Sequence, residues 1–175
     1  SRDWSSDVCS SDLSTAQIRN LLSDQLLAIE TRDVAALTVT QVAAISTADI
    51  DTLTTDQIVA LGTAQIAGLS TLQVQNLGSD QVKAIETRDV GSLTTAQVVA
   101  FTSTQLGAIT TDQVVALTTE HVAGLKTLQV QALSIGQVAA LETRDVAVLS
   151  SAQLRGLGDP QLAALKSAQI AALNS

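Results

Sequence analysis

The sequence of 175 residues has no methionine or tyrosine and only one residue each of cysteine, histidine, tryptophan and phenylalanine. A single cysteine cannot form an intrachain disulfide, so no disulfide framework supports the fold. The one histidine, His121, has no second histidine or cysteine with which to form a metal site or a nucleophilic constellation. These absences predict a protein that is not an enzyme and that binds no cofactor.

Aromatic residues make up 1% of the chain, and its formal net charge is -8. Bases and sugars commonly stack on aromatic rings, and nucleic-acid binding depends mainly on basic residues that neutralise phosphates. No apolar run approaches the roughly 18 residues of a membrane span. We therefore expect no nucleic-acid partner and no membrane insertion. The composition leaves protein or glycan as the partner classes and does not fix an oligomeric state.

What the sequence contains is an eight-residue repeat, or octad, that occurs twenty times without an insertion between residues 13 and 172. Leu93–Ala100 is a representative octad, with Leu93 in the first place and Gln97 in the fifth. The first place is always Leu, Ile or Phe, and the sixth place is always Val, Ile or Leu. The sixth place and the next first place are three residues apart, which is a spacing of neighbours on a helix and not on a strand.

One continuous helix is excluded, because eight residues advance about 80° beyond two full turns and would spread the aliphatic side chains over every face. Ser, Thr or Asp occupies the third place in eighteen octads and is expected to cap a new helix there. Asp159-Pro160 supports that phase, and second-place glycines such as Gly62 are expected beside a helix C-terminus. The sequence therefore predicts an all-α superhelical solenoid of about twenty short helices, each running from a fourth place to the next first place.

The fifth place is Gln in fifteen octads and Asp33, Asp49, Asp89, Asp145 or His121 in the others. One interpretation is a row of side-chain amides that binds a ligand. The other is that these side chains satisfy backbone groups of their own or the adjacent turn, and the occurrence of Gln in nearly every octad favours this structural role. We expect His121 to be a tolerated substitution.

A longer period of 56 residues, or seven octads, is also present, because the sequence Glu-Thr-Arg-Asp recurs at this interval. The charged residues of these three ETRD blocks are Glu30, Arg32 and Asp33; Glu86, Arg88 and Asp89; and Glu142, Arg144 and Asp145. The period either corresponds to one superhelical turn of seven octads or records duplication of a genetic block. The blocks are accordingly interpreted as a solvated face, as an ion-pair ladder between turns, or as an interaction stripe.

Residues 1–13 depart from the octad pattern. Asp3 to Leu13 resembles, residue for residue, one translated reading frame of a common sequencing adapter, and the alternative is a genuine polar leader or a cloning scar. We expect residues 1–13 to be a non-native or disordered leader and residues 14–175 to form a single solenoid. Because the chain lacks methionine, we expect it to be a fragment of a longer array.

The octad resembles the Leu-Thr-Thr-x-Gln-Val-x-Ala repeats of very long bacterial proteins described as adhesin-like or haemagglutinin-like. That resemblance covers the chain after Leu13 and implies a structural stalk or spacer in a protein of the bacterial cell surface or a secreted protein. The alternative function is a binding module that uses the superhelix surface, including its regular Thr pairs such as Thr94-Thr95, to hold a peptide, a glycan or ice.

Overall fold

The computed structural model describes residues 13–173, and all regular structure in that stretch is helical, with one element in each octad. The prediction of an all-α solenoid of short helices is confirmed. The predictions for the leader, apart from Leu13, lie outside the described residues. In chain order, α1 to α19 are Thr15–Arg19, Ser23–Leu27, Thr31–Ala36, Val39–Ala44, Thr55–Ala60, Thr63–Ala67, Thr71–Asn76, Ser79–Ala84, Thr87–Val90, Thr95–Ala100, Ser103–Ala108, Thr111–Val115, Thr119–Gly124, Thr127–Gln131, Ile135–Ala140, Thr143–Ala147, Ser151–Gly156, Asp159–Ala163 and Ser167–Ala172, and a 3₁₀ helix spans Ile50–Thr52 between α4 and α5.

Each helix begins at the third place of its octad, one residue earlier than predicted, because the second place is the N-cap. In α10 the Thr94 hydroxyl accepts a hydrogen bond from the backbone N–H of Gln97 at 3.3 Å. The Gln97 side chain returns the interaction, since its Oε1 accepts from the backbone N–H of Thr94 at 2.7 Å. This reciprocal pair is a capping box, which satisfies two backbone donors at the start of the helix.

The prediction that second-place glycines adopt a left-handed conformation is wrong. Gly62, Gly78 and Gly158 have φ of -84°, -67° and -77°, and none of the described residues has a positive φ. They are extended N-cap residues that follow an extended first place, so two residues of extended backbone connect successive helices. Pro160 is accordingly the second residue of α18, still within the first turn, where no intrahelical acceptor is required.

The core contains the side chains of two places in each octad, as the spacing predicts. Sixth-place residues such as Val98 and Leu106 are 0% exposed, and first-place residues such as Leu93 and Phe101 are at most 5% exposed. These side chains form one continuous cluster along the chain. Since an isolated helix of five or six residues is unstable in water, this shared core is what allows the helices to form.

The main contacts between helices join elements three octads apart, as between α1 and α4 or between α16 and α19. A superhelical turn therefore contains between three and four octads. The prediction of seven octads per turn is wrong, because the sequence period was taken to be the number of octads in one turn.

Candidate functional site

The most regular polar feature of the solenoid is the buried fifth-place glutamine. Gln113 is 2% exposed, and its Oε1 accepts from the backbone N–H of Thr110 at 2.8 Å. Its Nε2 donates to the backbone carbonyls of Val82 at 3.0 Å and Ile85 at 2.6 Å in the preceding turn. One side chain thus fixes the start of its own helix and binds the turn before it.

The same bond to the preceding turn recurs along the described chain. Every glutamine in the fifth place from Gln41 onward donates from Nε2 to the first-place carbonyl 28 residues earlier. We call this set the glutamine ladder: Gln41, Gln57, Gln65, Gln73, Gln81, Gln97, Gln105, Gln113, Gln129, Gln137, Gln153, Gln161 and Gln169. The structural interpretation of this place is therefore confirmed, because both ends of the amide are used within the protein.

The ladder also measures the superhelix. A separation of 28 residues is three and a half octads, so each turn contains about 28 residues and its helices are staggered by half an octad against those of the next turn. The 56-residue sequence period therefore equals two turns. Residues 56 apart lie on the same side of the solenoid, which connects the duplicated block to the geometry without making it one turn.

His121 replaces glutamine in the ladder and makes the same contacts. Its Nδ1 accepts from the backbone N–H of Thr118 at 3.2 Å, and its Nε2 lies 2.7 Å from the carbonyl of Leu93, 28 residues earlier. These partners assign the proton to Nε2, because a carbonyl can only accept. The ring is 3% exposed and is held as a structural equivalent of Gln, in line with the expected tolerance of this substitution.

Aspartate in the fifth place is one methylene shorter and has different partners. Its carboxylate accepts a hydroxyl hydrogen bond from the third place 26 residues earlier, on the preceding turn. The pairs are Ser23 with Asp49, Thr63 with Asp89, and Thr119 with Asp145. Third-place hydroxyls, which do not cap the helices, thus stabilise the turns where Asp interrupts the glutamine ladder.

The carboxyl groups of Asp145 and Asp49 have opposite electrostatic settings. Asp145 is 0% exposed, and its Oδ2 is the buried side-chain polar atom without a hydrogen-bond partner among the described residues. Burial raises the pKa of the Asp145 carboxyl, against the lowering effect of the Thr119 hydroxyl. Hydrogen bonds from Ser46 and Ser23 lower the pKa of the Asp49 carboxyl. Asp145 is therefore ionised at a cost, whereas Asp49 is stabilised as an anion.

The ion pairs of the ETRD blocks lie within each block. Arg88 Nη2 is 2.5 Å from Glu86 Oε2, and its Nε is 3.6 Å from Asp89 Oδ1. The third block repeats this arrangement around Arg144, at 2.6 Å from Glu142 and 3.8 Å from Asp145.

In the first block Arg32 Nε lies 3.4 Å from Asp33 Oδ1, and Glu30 is the exposed N-cap residue of α3. The side chains of Arg32, Arg88 and Arg144 are between 64% and 84% exposed. The blocks lie two turns apart on one side of the solenoid, so the pairs are a solvated face and each pair is expected to contribute little stability.

The eighth place is where adjacent turns approach most closely. A Cβ added to Gly124 would lie 2.8 Å from Thr95 Cγ2 and 3.2 Å from Val99 Cγ2. A Cβ on Gly156 would lie 2.6 Å from Thr127 Cγ2. Small residues in this place thus allow close packing between turns, where the sequence had indicated a close helix contact.

Within residues 13–173, no helix is long and apolar enough to cross a membrane. The same residues contain no group of three or more His, Cys, Asp or Glu side chains placed to hold a metal ion. The buried polar side chains that remain are those of the glutamine ladder, His121 and the aspartates described above.

Comparison with known proteins gives one family match. The model of the ALTTAQ repeat matches residues 26–63, 58–84, 82–119 and 138–175, which together include most of the chain. Its six letters correspond to the stretch from an eighth place through the next fifth place, which includes the N-cap and the glutamine. A search of curated proteins finds no matching sequence.

Proposed function

The chain belongs to the ALTTAQ repeat family, and on that premise we propose that it is a structural repeat region that acts as a stalk or spacer in a large bacterial surface or secreted protein. Its buried polar groups are used to hold one turn to the next. We further propose that it is not an enzyme and does not bind nucleic acid.

The observation that carries the proposal is the glutamine ladder. Thirteen buried amides bond to carbonyls at one fixed separation of 28 residues, so the same contact is made at every step along the solenoid. Length can then be changed by changing the number of octads, while the cross-section stays constant. Adjustable length at constant width is the property that a spacer requires.

Small-angle X-ray scattering on a lengthened chain tests this proposal. A second copy of residues 85–140, placed after Ala140, adds seven octads and hence two turns. Since packed helices are about 8–10 Å apart, we expect the maximum dimension to increase by roughly 16–20 Å with an unchanged cross-sectional radius of gyration. A wider cross-section, or no increase in length, would exclude a rigid spacer. Insertion of a Gly/Ser segment of equal length is the control for a flexible addition.

A second candidate function, a binding module, is favoured by the position of the ETRD blocks on one side of the solenoid. Its ligand would be a peptide or a glycan that contacts Arg32, Arg88 and Arg144. Binding in a glycan array or a peptide library that is lost when all three arginines are replaced by alanine would support this function over a spacer. Circular dichroism of the triple variant would show whether its fold is retained.

A further inference from the structure

The first turn of the solenoid presents unused hydrogen-bond donors. Gln17 and Gln25 are exposed, and their Oε1 atoms accept from the second-place backbone N–H groups of their own octads at 2.8 Å and 2.9 Å. Their Nε2 groups, unlike those of the glutamine ladder, donate to no acceptor among the described residues. Leu13 and Leu21 beside them are only half-buried, although first-place residues farther along are buried. We call these four residues the first-turn face.

The last turn presents the matching acceptors. The first-place carbonyls of Leu149, Leu157 and Leu165 accept no hydrogen bond from any described residue, whereas first-place carbonyls up to Leu141 in ladder register do so. The sixth-place side chains of this turn are also uncovered, since Leu162 is 38% exposed and Ile170 is 47% exposed. We call these five residues the last-turn face.

We propose that this chain associates head to tail with further copies of itself, the first-turn face of one copy packing on the last-turn face of the next. The free amides of Gln17 and Gln25 would then bond to first-place carbonyls in the geometry that the ladder uses within the chain. The half-buried leucines of the first-turn face would cover the exposed Leu162 and Ile170. In a longer array the following turn of the same chain makes these contacts, and in this chain a second copy makes them.

The geometry makes this contact heterologous and directional. The two faces differ in chemistry, because one carries amide donors and the other carries carbonyl acceptors, so a face does not complement itself. A heterologous contact that does not close into a ring gives linear chains whose length increases with concentration. Each face comprises about one superhelical turn, which is smaller than a standard stable interface, so the association is expected to be weak.

Paired variants of the full chain test the proposal by sedimentation velocity as the concentration is raised into the millimolar range. Gln17→Glu with Gln25→Glu keeps the Oε1 acceptors and removes the donors of the first-turn face. The matched control is Gln75→Glu with Gln131→Glu, which makes the same charge change at exposed seventh places. For the last-turn face, Leu162→Glu is compared with the same change at Leu128, which is 70% exposed in the body of the solenoid.

We expect the unmodified chain and both controls to increase in average mass with concentration, whereas both face variants remain monomeric. A mixture of the two face variants restores one intact pair of faces and should form dimers that do not elongate. A monomeric unmodified chain, self-association of either face variant, or equal loss of association in the controls would overturn the proposal. Unchanged circular dichroism of each variant shows that a loss of association is not a loss of fold.

Discussion

Replacing a single ladder glutamine measures how much the contact between turns stabilises the solenoid. In Gln113→Leu the side chain keeps a similar size but loses its donor and its acceptor. The carbonyl of Ile85 then has no hydrogen-bond partner, since Gln113 Nε2 at 2.6 Å is its one donor among the described residues. The carbonyl of Val82 keeps a bond from the backbone N–H of Ile85 at 3.3 Å.

The magnitude follows from these partners. A buried carbonyl left without a donor costs about 1–3 kcal/mol. The N–H of Thr110 also loses its acceptor, but Thr110 is partly exposed and this group can reach water, so its loss is at most about 1 kcal/mol. The buried leucine side chain returns part of this loss through its apolar surface. We therefore expect Gln113→Leu to lower the free energy of unfolding by about 2–3 kcal/mol.

Urea unfolding followed by far-ultraviolet circular dichroism measures this change. Gln75→Leu is the matched surface control and should shift the free energy of unfolding by less than about 0.5 kcal/mol. Gln17→Leu removes only the bond to its own helix start, so the difference between Gln113→Leu and Gln17→Leu isolates the bonds between turns. If Gln113→Leu is as mild as Gln75→Leu, the ladder does not hold the turns together and the reasoning is refuted.

Asp145→Asn should raise the free energy of unfolding at neutral pH, because it removes a carboxyl whose folded-state pKa is raised; the gain should disappear as the pH falls below the unfolded-state pKa near 3.8 in a pH series of urea titrations. Asp49→Asn should lower it at neutral pH, because the folded-state pKa of that carboxyl is lowered, and this loss should disappear as the pH falls through the folded-state pKa, below 3.8. The same sign for both substitutions would contradict the assigned causes. Gly136→Ala should raise the melting temperature through helix propensity, since its Cβ meets no atom closer than 4.0 Å, whereas Gly124→Ala should not, because its Cβ would lie 2.8 Å from a threonine methyl group; equal shifts would refute the close approach of turns at the eighth place. His121→Gln should leave the melting temperature unchanged or raise it, because Gln can make the same bonds, and a clear decrease would show that the imidazole has a role of its own.

The core could be predicted from the sequence because burial follows side-chain type and spacing. Large aliphatic residues three apart, such as Val98 and Phe101, can lie on one side only if the backbone is helical. The cap was assigned one residue late because hydroxyl residues such as Thr94 and Thr95 stand side by side, and either could cap. The spacing of Thr94 to Gln97 is that of a capping box and was the signal that could have decided between them.

The number of octads in a turn could not be predicted from the sequence, because it depends on the angle between successive short helices. That angle is set by two extended residues at each junction, whose ψ values, 138° at Phe101 and 160° at Thr102, are not encoded by residue type. The partners of Asp89 and Asp145 were missed for the same reason. The Thr63 and Thr119 hydroxyls that they accept lie 26 residues away, which is close only once the turn is known.

The half-octad stagger between turns has a consequence for how such a gene can change in length. Loss or gain of a single octad leaves every junction intact, so the fold survives, but it rotates the entire downstream surface by about two-sevenths of a circle. Seven octads are the smallest whole number that completes a whole number of turns. A block of 56 residues can therefore be copied with each exposed side chain returned to the side it occupied before, as with Arg32, Arg88 and Arg144. Lengthening by such blocks preserves the surface pattern, whereas lengthening by single octads rearranges it.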